Sequence, residues 1–178
     1  MDFKQRSEWE GTLSRKLEKL GTKQRAEILR LLGDPPKLER ITPEYWERHK
    51  KELQSVIVLL EDVYLQSAAN FIGSQPAFGV DWSLVNSAAS DWVRGYWTAG
   101  GSPDPQYPFA LVARFTERRK RKLGENVALF FEEGWNMGQL RKELDGLFGA
   151  AWGELVAPTE VTRAAAEGEL EVVRELKE

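Results

Sequence analysis

One helical repeat of apolar side chains limits this chain to helical architectures. Between Thr42 and Gly73, apolar positions recur at alternating steps of three and four residues, the spacing of one face of an α-helix. The positions are Trp46, His49, Leu53, Val56, Ile57, Leu60, Tyr64, Ala68 and Phe71. Thr42 is suited to cap the helix, with Pro43 at its first position. The pattern predicts one long helix, buried along one stripe, within an all-α fold.

Residues 1–40 show two shorter helical patterns. Gly21 is expected to end the first helix, Thr22 to cap the second, and Gly33-Asp34-Pro35-Pro36 to end it. Helices this short are not stable alone, so they either pack on the body or form an arm that orders on a partner. We expect an N-terminal helical arm, residues 1–40, followed by a helical domain with long antiparallel helices, residues 41–178.

The remaining helices are predicted over Asp81–Trp97, over Thr116–Gly134 and from Asn136 onward, with a turn-rich linker at 98–108 after the first of them. Asp81 is suited to cap its helix. Asn136, with Gln139 three residues later, has the pattern of a capping box. The apolar run 109–115 is compatible with either a helix or a strand.

Composition excludes several classes of site. The chain has 42% hydrophobic and 30% charged residues, 25 basic against 28 acidic side chains, no cysteine and one histidine, His49. Disulfides, thiolate chemistry, zinc sites with sulfur ligands and histidine metal clusters are therefore excluded. No apolar run approaches the roughly 18 residues of a membrane span. We expect no membrane contact, no cofactor and a reducing, cytoplasm-like compartment.

The only basic cluster consists of Arg114, Arg118, Arg119, Lys120, Arg121 and Lys122. It has two interpretations: a solvated helix face that keeps the domain soluble, or a patch for the DNA backbone or an acidic protein surface. If Thr116 begins the helix, these cations lie near its N-terminus, where they oppose the helix dipole. That unfavourable placement favours the binding interpretation.

The last segment has small residues at 164–166 beside a polar set, which suits a helix packed close to a neighbour. Glu160 is expected to pair with Arg163, and Arg163 with Glu167. Pro158 is expected to break or kink the helix, with Thr159 as a new N-cap.

Catalysis is not expected from these residues. Glu132 and Glu133 are adjacent, so on a helix they point about 100° apart and do not converge. His49 fits a packed, hydrogen-bonded imidazole. An enzyme whose Glu132, Asp145 and Glu160 converge only in three dimensions is the rival interpretation.

From Thr116 onward, the order is a long helix, a glycine turn, a short helix, then Ala-x-Thr-Glu followed by Arg-Ala and a glycine. The matching stretches are 134–144, 157–164 and Gly168. This order resembles the C-terminal part of the phage Mu F-like domain of phage head morphogenesis proteins. The residues that carry the resemblance are Gly134, Asn136, Leu140, Thr159, Glu160, Arg163 and Gly168. Trp152-Gly153 and Pro158 depart from the family pattern, and residues 1–40 show no likeness.

The resemblance implies a minor structural protein of a phage or prophage head, not an enzyme. Its implied partners are the portal protein, the major capsid protein or both, with packaged DNA and self-association left open. Its implied location is the phage head, and the host cytoplasm during assembly. The alternative is a DNA-binding or packaging regulator that uses the basic helix 114–122.

Overall fold

The computed structural model describes residues 1–73, 79–95 and 111–176, and every regular element in those ranges is helical. The elements are α1 (Phe3–Leu32), a 3-10 helix (Leu38–Arg40), α2 (Pro43–Ile57), α3 (Leu59–Gly73), α4 (Trp82–Gly95), α5 (Leu111–Glu132), α6 (Met137–Phe148) and α7 (Ala150–Glu175). The all-α prediction is confirmed. The predicted linker, 98–108, lies outside the described residues.

Helix α1 is continuous, so the prediction of two short helices in this region is wrong. Gly21 does not end the helix; it is buried, and a Cβ atom at this position would overlap the carbonyl oxygen of Phe148 at the end of α6. Glycine is therefore required here for a close approach between helices rather than for a turn. Thr22 lies inside the helix, whereas Gly33, with φ 74°, ends it as predicted.

Helix α1 lies antiparallel along α2 and α3. Contacts that fix the register are Lys23 with Glu52, Trp9 with Gln66, and Gln5 with Asn70. Leu13, Leu17, Ile28 and Leu32 on α1 are fully buried. Of the two alternatives for residues 1–40, the structure has the first: they pack on the body instead of extending as a loosely attached arm.

The predicted helix from Thr42 to Gly73 is present with one interruption at Val58. Thr42 caps α2, its side chain accepting from the Tyr45 amide, and Pro43 occupies the first turn. At the interruption, the Glu61 amide bonds the Val58 carbonyl three residues back, at 3.0 Å, so the backbone is tighter there than in an α-helix. Its direction continues, because Val58 keeps helical angles of φ −55° and ψ −22°.

Helix α7 lies antiparallel to α1 and parallel to α3, in the groove between them. A Cβ atom at Gly153 would lie 2.9 Å from the carbonyl oxygen of Ser14, and one at Gly168 would overlap the carbonyl oxygen of Tyr64. The expected close packing of this segment is confirmed. The expected break at Pro158 is wrong: the helix continues through it, and Thr159 is an interior residue instead of a cap.

Helix α4 begins as predicted, whereas α5 begins earlier than predicted. Asp81 caps α4, its carboxylate accepting from the Ser83 amide at 2.8 Å, and Trp82 at the first position of the helix is 40% exposed. The structure has α5 already helical at Leu111, so Thr116 does not begin it. Thr116 is buried inside the helix, where its hydroxyl donates to the Val112 carbonyl at 2.8 Å.

Three buried clusters hold the helices together. The α7 core joins α1, α2, α3, α4, α5 and α7 and consists of Leu13, Leu17, Leu53, Ile57, Leu60, Val63, Val93, Val112, Ala157, Val161, Ala164 and Ala165. The Arg119 core joins the second half of α1 to α2, α5 and α6 and consists of Ile28, Leu32, Ile41, Tyr45, Trp46, Leu123, Val127, Leu140, Leu144 and Phe148. A smaller α4 core consists of Tyr64, Ala68, Val85, Ala89 and Val172.

Candidate functional site

The structure divides the predicted basic cluster between surface and core. Arg118, Lys120 and Arg121 are exposed and Lys122 is half-exposed, whereas Arg119 is only 2% exposed. The backbone of Arg114 lies in α5, but its side chain is outside the described residues. Glu125 pairs with both Arg121, at 2.5 Å, and Lys122, at 2.7 Å. The surface patch therefore consists of Arg118, Lys120, Arg121 and Lys122, which we call the α5 patch.

The helix-dipole argument for this patch is wrong. Because α5 is already helical at Leu111, Arg118 lies two turns inside the helix, and the residues after it lie deeper. The field of the helix N-terminus falls off within the first turn. The basic residues are therefore not placed against the dipole, and their exposure is what makes them candidates for binding.

Arg119 joins four helices inside the protein. From α5, its Nη1 donates to Gln24 Oε1 of α1 at 3.0 Å and lies 3.1 Å from His49 Nε2 of α2. Its Nε donates to the Leu147 carbonyl of α6 at 3.3 Å, and its guanidinium carbon lies 4.5 Å from the centre of the Phe148 ring. The side chain is thus bound on its polar edges and on one face.

The contact with Arg119 fixes the tautomer of His49. A guanidinium only donates hydrogen bonds, so His49 Nε2 must accept and the neutral ring carries its proton on Nδ1. Nδ1 is buried and has no hydrogen-bond partner among the described residues. The ring is enclosed by Tyr45, Trp46 and Phe148, with centroids 6.1, 5.4 and 6.2 Å away.

Burial shifts the pKa values of the ionisable groups in this network. Burial, followed by the neighbouring charge of Arg119, lowers the pKa of His49 to about 3, so the imidazole is neutral at pH 7. Burial lowers the pKa of Arg119 to about 9, which still leaves the guanidinium charged. Burial also raises the pKa of Tyr45, whose hydroxyl lies 3.4 Å from the Gln24 carbonyl. Within the described residues, the guanidinium of Arg119 therefore contacts the neutral side chains of Gln24 and His49.

The network reaches solvent through Gln24. Its Nε2 donates to Glu52 at 3.0 Å, and Lys23 donates to the other oxygen of the same carboxylate at 2.6 Å. Burial opposes ionisation of Glu52, but these two hydrogen bonds outweigh it and hold its pKa below the ordinary value. Glu52 lines an open groove of about 490 Å³ between α1 and α2, together with Lys23, Ala26, Glu27, Arg30 and Arg48.

The residues that carry the family resemblance have architectural positions. Gly134 has φ 63°, and beyond it the Trp135 amide bonds back to the Phe130 carbonyl at 2.9 Å, which ends α5. Asn136 forms the predicted capping box with Gln139, at 3.0 and 2.8 Å, and Leu140 is fully buried. Gly168 allows the approach to α3.

The polar part of that motif is split between core and surface. Glu160 is 5% exposed and pairs with the exposed Arg163 at 3.1 Å, as predicted, whereas Thr159 is exposed. Of the other acidic candidates, Asp145 pairs with Arg25 and Glu132 is exposed at the end of α5. In the described ranges, no group of three histidine or acidic side chains could hold a metal ion.

Sequence reasoning missed the burial of Arg119 and Gln24, although a periodic signal was present. Continuing the buried stripe of α5 backward from Val127 and Leu123 gives 119, 116 and 112, all of which are buried. On α1, Gln24 falls in the series 17, 21, 24, 28. By charge, Arg119 groups with its neighbours in the basic cluster, whereas its position on the buried stripe of α5 places it in the core.

The continuous helical stretch Pro43–Gly73 contains an 18-residue window with a mean hydropathy of 1.3, of which 33% is buried. This length and composition would allow a membrane crossing, although the core helix of a soluble protein satisfies the same criteria. Comparison with family models, curated proteins and solved structures finds no match to this chain.

Proposed function

We propose that this chain is a minor structural protein of a phage or prophage head, which binds portal or capsid proteins during assembly. The observation that carries the proposal is the position of the signature residues. Gly134 and Asn136 set the turn into α6, and Gly168 sets the approach of α7 to α3. These residues act in helix placement, which is the role expected of them in a protein that works by binding.

Exposed apolar side chains next to the signature support a protein-binding role. Leu155 on α7 is 77% exposed and Phe131 at the end of α5 is 59% exposed. Large apolar groups of this kind become favourable contacts when a partner covers them. Portal and capsid subunits are the partners that the resemblance implies.

The test is co-expression of the chain with the portal and major capsid proteins of the phage or prophage that encodes it. Purified particles are sized, and their content of this protein is quantified by mass spectrometry. The proposal expects incorporation at a fixed ratio, and a reduction when Leu155 and Phe131 are both changed to serine. Leu84→Ser is the control, because Leu84 is 48% exposed on α4, a helix that contains no signature residue. Particles that form normally without the protein would contradict the proposal.

The α5 patch supports a second candidate, a DNA-binding or packaging regulator. Arg118 and Arg121 lie almost one turn apart on one exposed side of α5, as contacts to a phosphate backbone require, and Lys120 is exposed on another side of the helix. DNA affinity is measured as a function of salt concentration for the triple change of these residues to glutamine. If all three contact phosphates, the slope of log affinity against log salt decreases by roughly 2.7.

The matched control for DNA binding changes Arg15, Lys16 and Lys19 to glutamine, because these residues are equally exposed on α1 and the change in net charge is the same. The regulator function requires that only the α5 variant lose affinity and salt dependence. Equal losses in the two variants would indicate nonspecific attraction and would remove this candidate.

A further inference from the structure

The only histidine of the chain packs against the Arg119 core and contacts a buried cation. His49 is 1% exposed, and its Nε2 lies 3.1 Å from Arg119 Nη1. In the neutral ring, this nitrogen supplies the lone pair that accepts from Arg119. A proton added to His49 must go to the same nitrogen, because Nδ1 is already protonated. Protonation would therefore convert a hydrogen bond into a contact between two donors of like charge.

The described groups that surround the ring offer little compensation for a second charge. Arg119 from α5 is a cation, Tyr45 on α2 is a neutral phenol, and α6 contributes the Phe148 ring and the Leu147 carbonyl, which accepts from Arg119. On α1, Gln24 faces the guanidinium. Outside this shell, Glu52 is engaged by Gln24 and Lys23, Glu27 pairs with Arg48, and Arg25 pairs with Asp145.

We propose that His49 is an acid-sensitive latch: when it takes up a proton, α2, α5 and α6 separate at the Arg119 core while the α7 core stays packed. The separation relieves both costs of the protonated state, since it hydrates the imidazolium and moves it away from the guanidinium. The α7 core has the means to persist, because its buried members are all apolar and the closest contacts of α7, at Gly153 and Gly168, are to backbone carbonyl oxygens.

The sign and the pH range follow from linkage. The pKa of His49 is about 3 in the closed state, against an ordinary value of 6.5 that applies once the core opens. The opened state therefore binds one more proton between these values, and closure is favoured above pH 6.5 and progressively lost below it. One proton corresponds to a tenfold change in the opening equilibrium per pH unit. The hydrogen bonds of Glu52 hold its pKa below the ordinary value, so this carboxylate takes up its proton at a lower pH than an ordinary glutamate.

Hydrogen–deuterium exchange of the full chain, corrected at each pH for intrinsic rates, measures the opening directly. From pH 6.5 to 4.5, protection of amides in α5, α6 and the first turns of α2 is expected to decrease by up to 100-fold, whereas α3 and α7 keep theirs. Equal loss of protection in all helices would overturn the proposal, because it would mean global unfolding. Unchanged protection in α5 and α6 would overturn it as well.

His49→Gln separates the latch from other acid effects, because glutamine can still accept from Arg119 but does not titrate. The variant is expected to keep its protection from hydrogen exchange over the same pH range. Acid opening identical to that of the unmodified chain would contradict the proposal. If this variant does not fold, the single histidine can be followed in the unmodified chain by nuclear magnetic resonance. A proton on Nδ1 at pH 7 and titration coincident with opening are expected; titration near 6.5 without opening would exclude the latch.

Discussion

The two halves of α1 pack by different means. Its first half lies against α7 where glycine and alanine bring the backbones together, as at Gly153 beside the Ser14 carbonyl. Its second half meets α2, α5 and α6 through aromatic rings and the hydrogen bonds of Arg119, His49 and Gln24. The first arrangement relies mainly on close backbone packing and apolar contacts, whereas the second depends on charge state. One helix thus joins a core that should be indifferent to pH to one that should respond to it.

The substitution with the largest expected effect on helix packing is at Gly168. Alanine there places a methyl group against the Tyr64 carbonyl, and backbone atoms cannot rotate away. Helix propensity favours alanine, so any loss comes from packing. We expect Gly168→Ala to lower the free energy of unfolding by about 3 kcal/mol, measured by urea denaturation. Gly146→Ala is the control, since nothing lies within 4 Å of a Cβ there; equal effects at both positions would contradict close packing.

The Arg119 core is tested by two adjacent arginines. Arg119→Ala removes the donor to Gln24 and Leu147 and the contact with the Phe148 ring, so we expect a loss of about 2 to 3 kcal/mol in the free energy of unfolding. Arg118→Ala, at an exposed position one residue earlier, should change it by less than about 0.5 kcal/mol. Thermal and urea unfolding of both variants would decide, and comparable losses would argue against the four-helix contact.

These two regions also show what sequence could and could not predict. The helix starts at Thr42, Asp81 and Asn136 can be predicted because capping depends on residues close in sequence. The all-α class follows from the helical periodicity of the apolar residues. The sequence predicts a helix end at Gly21, because only the packing of Phe148, far along the chain, explains a glycine inside α1. Charge alone predicts a surface position for Arg119, because the partners that bury it come from three other helices.

Pro158 lies in the interior of α7, a position that usually disfavours proline. Proline lacks the amide that would bond to the Glu154 carbonyl, and its ring crowds the preceding turn. Because Pro158 is exposed, replacing it should improve the helix without disturbing the core. We expect Pro158→Ala to raise the free energy of unfolding by about 1 to 2 kcal/mol. A decrease in the free energy of unfolding would mean that Pro158 itself helps to position α7, in addition to the packing of its buried face.

The smallest expected change in the free energy of unfolding comes from a comparison of Asn136, which caps a helix, with Thr159, which the sequence predicts to cap one and which does not. Asn136 accepts from the Gln139 amide at the start of α6, so Asn136→Ala should lower the free energy of unfolding by about 1 kcal/mol. Thr159 lies inside α7, and Thr159→Ala should change it by less than about 0.5 kcal/mol. The pair is compared by thermal unfolding at one pH. Helix α6 contributes Leu140, Leu144 and Phe148 to the Arg119 core. The Asn136 variant should therefore lose protection from hydrogen exchange first in that core. A larger loss of protection in α7 would contradict the assignment of Asn136 as the cap of α6.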